Sequence, residues 1–228
     1  MDHCLHQYIS LFIALAQDAP PVKIDLYYET LCPYSIEFVV DQLYPTWTIL
    51  KDIMEVEMFP FGNAHYKQDG EGWSFTCQHG NGECRANMIH ACAKDHFKDI
   101  NIEMEFVNCL LSSDYPPNAG ATCAAQVGQD WAPIDACVNS VEGENLLHEV
   151  AVEQEKLKPA LYYVPWILVN DVLDGEGESQ DNLKKVVCDN YTGTKPEACN
   201  SPAPPAQRPT TNKKSISPRM AIRLANRS

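Results

Sequence analysis

The chain has 228 residues, with 31 acidic against 17 basic side chains, a formal net charge of −14 and ten cysteines. Hydrophobic residues make up 45%, including four Trp, ten Tyr and seven Phe, which excludes global disorder. The acidic balance argues against a nucleic-acid binder and against docking on anionic lipid, and ten cysteines point to an oxidising compartment.

Taken in chain order, the first feature is the apolar run Tyr8 to Ala16. It ends in Ala14-Leu15-Ala16, a small-x-small pattern suited to cleavage before Gln17. Residues 1–16 are therefore expected to be a signal peptide. No other stretch approaches the roughly 18 apolar residues that span a bilayer. Val22 to Tyr28 alternates as a strand, with Val22, Ile24, Leu26 and Tyr28 on one side. Glu29-Thr-Leu-Cys-Pro33 follows, and Pro33 suits the first turn of a helix, where its missing N–H is not needed. Ile36, Val39, Val40, Leu43, Trp47 and Leu50 recur at helical spacing, and Pro45 is expected to kink or divide that helix near Tyr44. Ile53 to Phe59 reads as a second strand, ended by Pro60-Phe-Gly-Asn63.

The stretch of about 64–159 holds Cys77, Cys84, Cys92, Cys109, Cys123 and Cys137 with apolar residues at helical spacing. It reads as a mostly helical, disulfide-stapled insertion, with Glu142 to Leu157 as one helix. Strand character returns at Leu161 to Asn170, with Val172-Leu173 as a short partner and Ser179 as the cap of a last helix. The resulting class is α/β. Residues 17–200 form one unit. From Ser201 to Ser228 the chain carries five prolines, six of the 17 cations and no acid, which leaves −20 on the rest. This is expected to be a disordered basic tail. Asn190-Tyr-Thr and Asn226-Arg-Ser fit the glycosylation sequon, and Asn190, beside the folded body, is the stronger candidate.

Cys32 sits where a strand hands over to a helix. First-turn N–H groups and the helix dipole favour an anion there, so its thiol is expected to lose a proton more readily. Loss of Cys4 with the leader leaves nine cysteines, an odd number. Eight can pair: Cys77, Cys84, Cys92, Cys109, Cys123, Cys137, Cys188 and Cys199. Cys32, alone in a strand-to-helix turn away from the cysteine-rich block, is the candidate left over. Ser35, one helical turn on, stands where a dithiol reductase needs its resolving thiol; serine can hydrogen-bond a thiolate but cannot resolve a mixed disulfide. Cys77, His79, Cys84, Cys92 and His90 resemble metal ligands by type, yet no Cys-x-x-Cys pair is present, and disulfides are the expectation. His65, His79, His90, His96 and His148 read as surface or satisfied core residues.

Cys77-Gln-His-Gly-Asn-Gly-Glu-Cys-Arg-Ala-Asn-Met-Ile-His-Ala-Cys92 resembles the signature CQHG-x-x-E-C-x-x-N-x-x-x-x-C of the gamma-interferon-inducible lysosomal thiol reductases at every fixed place. Tyr27 to Ser35, Phe61 to Ala64 and Val164 to Asn170 are also similar to family segments, and Tyr191 to Cys199 looks most like plant members. The resemblance covers about Val22 to Cys199. It implies a thioredoxin-like fold with a helical insertion. It implies reduction of protein disulfides, without a cofactor, in a lysosome or vacuole or after secretion. By matching positions, Cys32 would be the attacking thiol and Pro165 a cis proline opposite it. The family's second active-site cysteine falls on Ser35. Cys77, Cys84 and Cys92 would be structural. Three functions follow, one of them a disulfide-stapled secreted protein with an unrelated binding role. In another, Cys32 attacks a protein disulfide and an external thiol such as glutathione or cysteine resolves the adduct. In the third, the protein is a non-catalytic binder of cysteine-containing proteins. None needs a metal, a nucleic acid or a membrane span, and a monomer suffices.

Overall fold

The computed structural model describes residues 19–175 and 177–202. The expected signal peptide and the basic tail beyond Pro202 lie outside them. Four strands form a mixed sheet in the order β2-β1-β5-β6: β1 (Val22–Tyr28), β2 (Met54–Pro60), β5 (Trp166–Val169) and β6 (Val172–Leu173). β1 is central. It runs parallel to β2, with Val22 opposite Met54 and Tyr28 opposite Pro60. It runs antiparallel to β5, with Tyr27 opposite Trp166 and Ile24 opposite Val169. The parallel pair requires a helical crossover, which residues 33–50 supply.

That crossover is α1 (Pro33–Phe38), a π-helical stretch (Val39–Leu43) and α2 (Tyr44–Leu50). Pro45 is expected to kink or divide the helix near Tyr44, and the division falls there: the π-helical stretch ends at Leu43, α2 starts at Tyr44, and the helical path runs on to Leu50. A helix-interior proline lacks an N–H and crowds the preceding turn, and the π-helical stretch changes the hydrogen-bond register there. The last helix differs from expectation. α8 (Glu178–Asn190) is capped not by Ser179 but by Asp174, whose carboxylate accepts the N–H groups of Glu178 at 3.3 Å and Ser179 at 2.6 Å. The strand expected from Leu161 begins only at Trp166.

The insertion is not wholly helical. It opens with a hairpin, β3 (His65–Asp69) and β4 (Gly72–Thr76), turning at Gly70, where φ is +61°. Asp69-Gly70 is a hairpin turn signal, and Tyr66, Trp73 and Phe75 give the flanks aromatic strand character. Five helices follow: α3 (Asn81–Phe97), α4 (Ile100–Ser112), α5 (Pro116–Gln126), α6 (Trp131–Val138) and α7 (Val141–Gln154). Ile89, Met104, Phe106, Val107, Leu110 and Leu111 of α3 and α4 share one continuous core with Ile24, Leu26 and Met58 of the sheet and Leu43 of the crossover. The insertion therefore completes the core rather than standing apart from it. On the opposite sheet face Tyr27 stacks on Phe59, with centroids 4.4 Å apart, beside Leu157 and Trp166.

Candidate active site

The ends of the two parallel strands place the site. Beyond Tyr28, the N–H of Cys32 bonds the carbonyl of Glu29 at 3.3 Å and closes a turn. Cys32 itself keeps an extended backbone (φ −67°, ψ 122°) as the residue before α1, and its carbonyl accepts the Ile36 N–H at 3.0 Å. Pro33 follows as the first helical residue. Because Tyr27 pairs with Trp166, residue 165 falls opposite the end of β1. The Val164–Pro165 peptide there is cis, and Pro165 O accepts Gln180 Nε2 at 3.5 Å. Cys32, Ser35 and Pro165 thus come to the same end of the sheet. Lys158–Pro159 is also cis, which nothing in the sequence indicates.

Cys32 is the free cysteine among the described residues. The other eight form Cys77–Cys84, Cys92–Cys137, Cys109–Cys123 and Cys188–Cys199. Cys32 is only 6% exposed. Burial pushes it above the ordinary thiol range, opposed by hydrogen bonds from the Ser35 amide, the Ser35 hydroxyl and the Tyr34 amide. The negative charge of Glu29 pushes it up further. This corrects the expectation drawn from the helix terminus: desolvation outweighs the N-terminal donors. Ser35 is fully buried, and its Oγ accepts the Glu29 N–H at 3.4 Å.

A polar shell behind this turn is what the sequence reasoning missed. Thr30 N–H and Thr30 Oγ1 both bond Asn87 Oδ1, at 3.1 and 2.7 Å. Tyr28 OH meets His90 Nδ1 at 2.7 Å, and His90 Nε2 meets Glu103 Oε1 at 2.9 Å. Burial holds the Tyr28 hydroxyl well above its usual range. Glu29 Oε1 accepts the Asn63 N–H at 2.7 Å. Burial and the neighbouring Glu83 charge raise the Glu29 carboxyl, against the Asn63 amide and His79. His79 Nδ1 lies 2.6 Å from Glu83 Oε2 and 3.3 Å from Glu29 Oε2. The signal was available: Glu83, Asn87 and His90 stand at i, i+4 and i+7, one face of α3, inside the Cys77–Cys92 motif. Of the metal-type residues in that motif, the cysteines are all in bridges. Glu29, His79 and Glu83 instead offer ligand atoms within 4.8 Å of one another.

A cavity lined by Tyr34, Glu37, Phe38 and Gln180 among others is about 190 Å³. That is below the roughly 300–1,000 Å³ of small-molecule sites. Tyr162, 58% exposed, packs edge-on to Trp166 beside Pro165. Asn190 is exposed, and its side-chain amide donates to Val186 O at 2.9 Å; Asn226 lies outside the described residues. No helix among the described residues is long and apolar enough to cross a membrane.

A sequence model described as gamma interferon inducible lysosomal thiol reductase (GILT) matches residues 23–127. The gamma-interferon-inducible lysosomal thiol reductase of Carassius auratus is 40% identical over 186 residues, covering 80% of this chain and 73% of the relative. The chain belongs to the gamma-interferon-inducible lysosomal thiol reductase family. Within it, the gamma-interferon-responsive lysosomal thiol protein of Arabidopsis thaliana is 35% identical, covering 82% of this chain and 79% of its own. The mouse reductase is 36% identical, covering 80% and 73%. The fold is thioredoxin-like. BdbD from Bacillus subtilis, oxidised, superposes with a TM-score of 0.56 at 14% identity over 78% of this chain and 91% of that one. Chlamydia trachomatis DsbA gives 0.54 at 15% identity over 74% and 84%.

Proposed function

We propose that the protein is a thiol-disulfide oxidoreductase that reduces or isomerises protein disulfides through Cys32 alone. The observation that carries this reading is Cys32, the free cysteine among the described residues, set in the turn between β1 and α1 where hydrogen bonding to Ser35 and Tyr34 favours its thiolate form. The names and fold of the relatives support it. The Cys32 thiolate attacks one sulfur of a substrate disulfide. A mixed disulfide forms, and the other substrate sulfur leaves as thiolate. With no thiol at position 35, an external thiol such as glutathione or cysteine attacks the Cys32 sulfur and releases the substrate as a thiol. A second external thiol then restores Cys32, and the two leave as their own disulfide. In isomerisation a substrate thiol does the resolving, with no net redox change. The small cavity beside α1 and the exposed Tyr162 suit a protein partner met at the surface. We place this work in the secretory pathway, in a lysosome or vacuole or outside the cell, with residues 1–16 removed, Asn190 glycosylated and the chain a monomer.

The second reading is a non-catalytic binder that captures cysteine-containing proteins. The Ser35 hydroxyl, where a resolving thiol is required, favours it. Insulin-type disulfide reduction by the mature chain with glutathione, across acid and neutral pH, separates the two. The oxidoreductase reading expects turnover in the wild type that Cys32→Ser abolishes. If the wild type is inert and Ser35→Cys creates activity, the binder reading takes its place.

A further inference from the structure

The Glu29, His79 and Glu83 cluster has features that hydrogen bonding between its members does not use up. Each carboxylate is tethered through one oxygen by a backbone N–H: Glu29 Oε1 by Asn63 at 2.7 Å, Glu83 Oε1 by His79 at 3.0 Å. The other oxygen of each is turned toward His79 Nδ1. Glu29 is fully buried, and its Oε2 accepts no hydrogen bond. Two buried carboxylates face one imidazole. We propose that Glu29, His79 and Glu83 bind a divalent transition-metal ion, Zn²⁺ by the nature of the donors.

One imidazole nitrogen and two carboxylate oxygens make a three-ligand set of the kind zinc takes with water in the fourth place. Calcium and magnesium ask for six or more oxygens. Ligand atoms around tetrahedral zinc stand roughly 3.3 Å apart. The observed separations are 2.6 and 3.3 Å, with all three atoms within 4.8 Å of one another. Entry of an ion thus calls for modest side-chain adjustment. The His79 side chain is 33% exposed and provides the open side for the ion and its water. The backbone amides that hold the outer oxygens are the partners that orient metal ligands elsewhere. Cys77–Cys84 closes the loop carrying His79 and Glu83, so two ligands are pinned before any ion arrives. Glu29 O accepts the Cys32 N–H, so a bound ion braces the turn that carries the free thiol.

The test uses the chelator-treated mature chain, bridges intact, near neutral pH. Zn²⁺ is titrated by calorimetry, and Co²⁺ is followed by absorption. One equivalent is expected. Co²⁺ should give visible d–d bands without the near-ultraviolet band of a thiolate ligand, and Cys32→Ser should leave both signals unchanged. His79→Ala and Glu83→Gln should each weaken binding at least tenfold. The cobalt spectrum of the unmutated chain decides the donor type even where a variant folds poorly. No saturable binding up to millimolar ion, a thiolate band, loss of binding in Cys32→Ser, or unchanged binding in folded His79→Ala would each overturn the assignment.

Discussion

Ser35→Ala is the substitution that most directly probes the thiol. Cys32 titrates under two opposed influences: burial favours the neutral form, and three hydrogen bonds favour the thiolate. The variant removes the side-chain bond and leaves the two amides. A hydrogen bond to a charged group contributes about 1.5–3 kcal/mol. Sulfur is a weak acceptor, so the lower end applies, which is about one pH unit at 1.36 kcal/mol per unit. Alkylation by iodoacetamide, followed against pH on the non-reduced mature chain, reads this at Cys32 because the other eight cysteines are in bridges. The midpoint should rise about one unit, and well below both midpoints the thiolate fraction should fall about tenfold, a loss in rate offset about threefold by the greater nucleophilicity of the more basic thiolate. A midpoint that stays, or moves down, refutes the assignment of Ser35 as a thiolate donor. The same thiol links stability to pH. Its folded value lies above the ordinary one, so the native state holds the proton more tightly than the unfolded chain. That contribution is complete below the ordinary thiol range and is lost as pH rises through the folded value. Cys32→Ala should therefore flatten the alkaline fall in urea-unfolding stability, and an unaltered slope would count against it.

Five further variants test the scaffold. Asn87→Ala takes the acceptor from the N–H of fully buried Thr30 and leaves its hydroxyl the Glu83 carbonyl at 3.4 Å, and should cost about 1–3 kcal/mol in urea unfolding; a loss under about 0.5 kcal/mol would mean water or relaxation satisfies the N–H. Gly62→Ala and Gly70→Ala place a side chain at similar φ, +66° and +61°. The new Cβ lies 2.4 Å from Glu29 Cγ at Gly62 and meets nothing within 4 Å at Gly70. Gly70→Ala should therefore cost about 1–2 kcal/mol, and Gly62→Ala clearly more; equal losses would show that Glu29 yields freely. Removing Cys92–Cys137 as paired alanines should lower stability by about 4 kcal/mol, against about 2 kcal/mol for Cys77–Cys84, since they join residues 45 and 7 apart. Calorimetry under oxidising conditions would show the reverse order if native-state strain outweighs loop entropy.

The legible parts of the molecule were those where local pattern and burial agree. β1 and β2 alternate on the covered face, and the strand-to-helix turn announces itself through Cys32-Pro33. The misread parts are those where a distant contact decides. Ser179 has the right chemistry for a cap, but Asp174 reaches the free N–H groups first, and Ser179 Oγ is left buried without a partner. The stretch Leu161–Pro165 is apolar enough for a strand, yet the ladder begins only at Trp166. The Cys32 thiol shows the same limit in electrostatics. Its place in the sequence reveals the donors around it, and only the packed structure reveals how little water remains.

The polar shell explains why the insertion and the thiol are inseparable. α3 lies in the insertion, about fifty residues along the chain from Cys32, yet its Glu83 carbonyl, Asn87 and His90 partner the residues leading into the thiol turn. Tyr28, Glu29 and Thr30 occupy three successive positions at the end of β1, and each is buried with a polar group to satisfy. A buried polar group without a partner costs about 1–3 kcal/mol, so three in succession would not hold a fixed turn on their own. The bridges act on the partners rather than on the thiol. Cys77–Cys84 joins the loop carrying His79 to the first turn of α3, and Cys92–Cys137 fixes the middle of α3 to α6. The disulfides thus position the helix, the helix positions the polar partners, and those partners hold the backbone from which Cys32 projects.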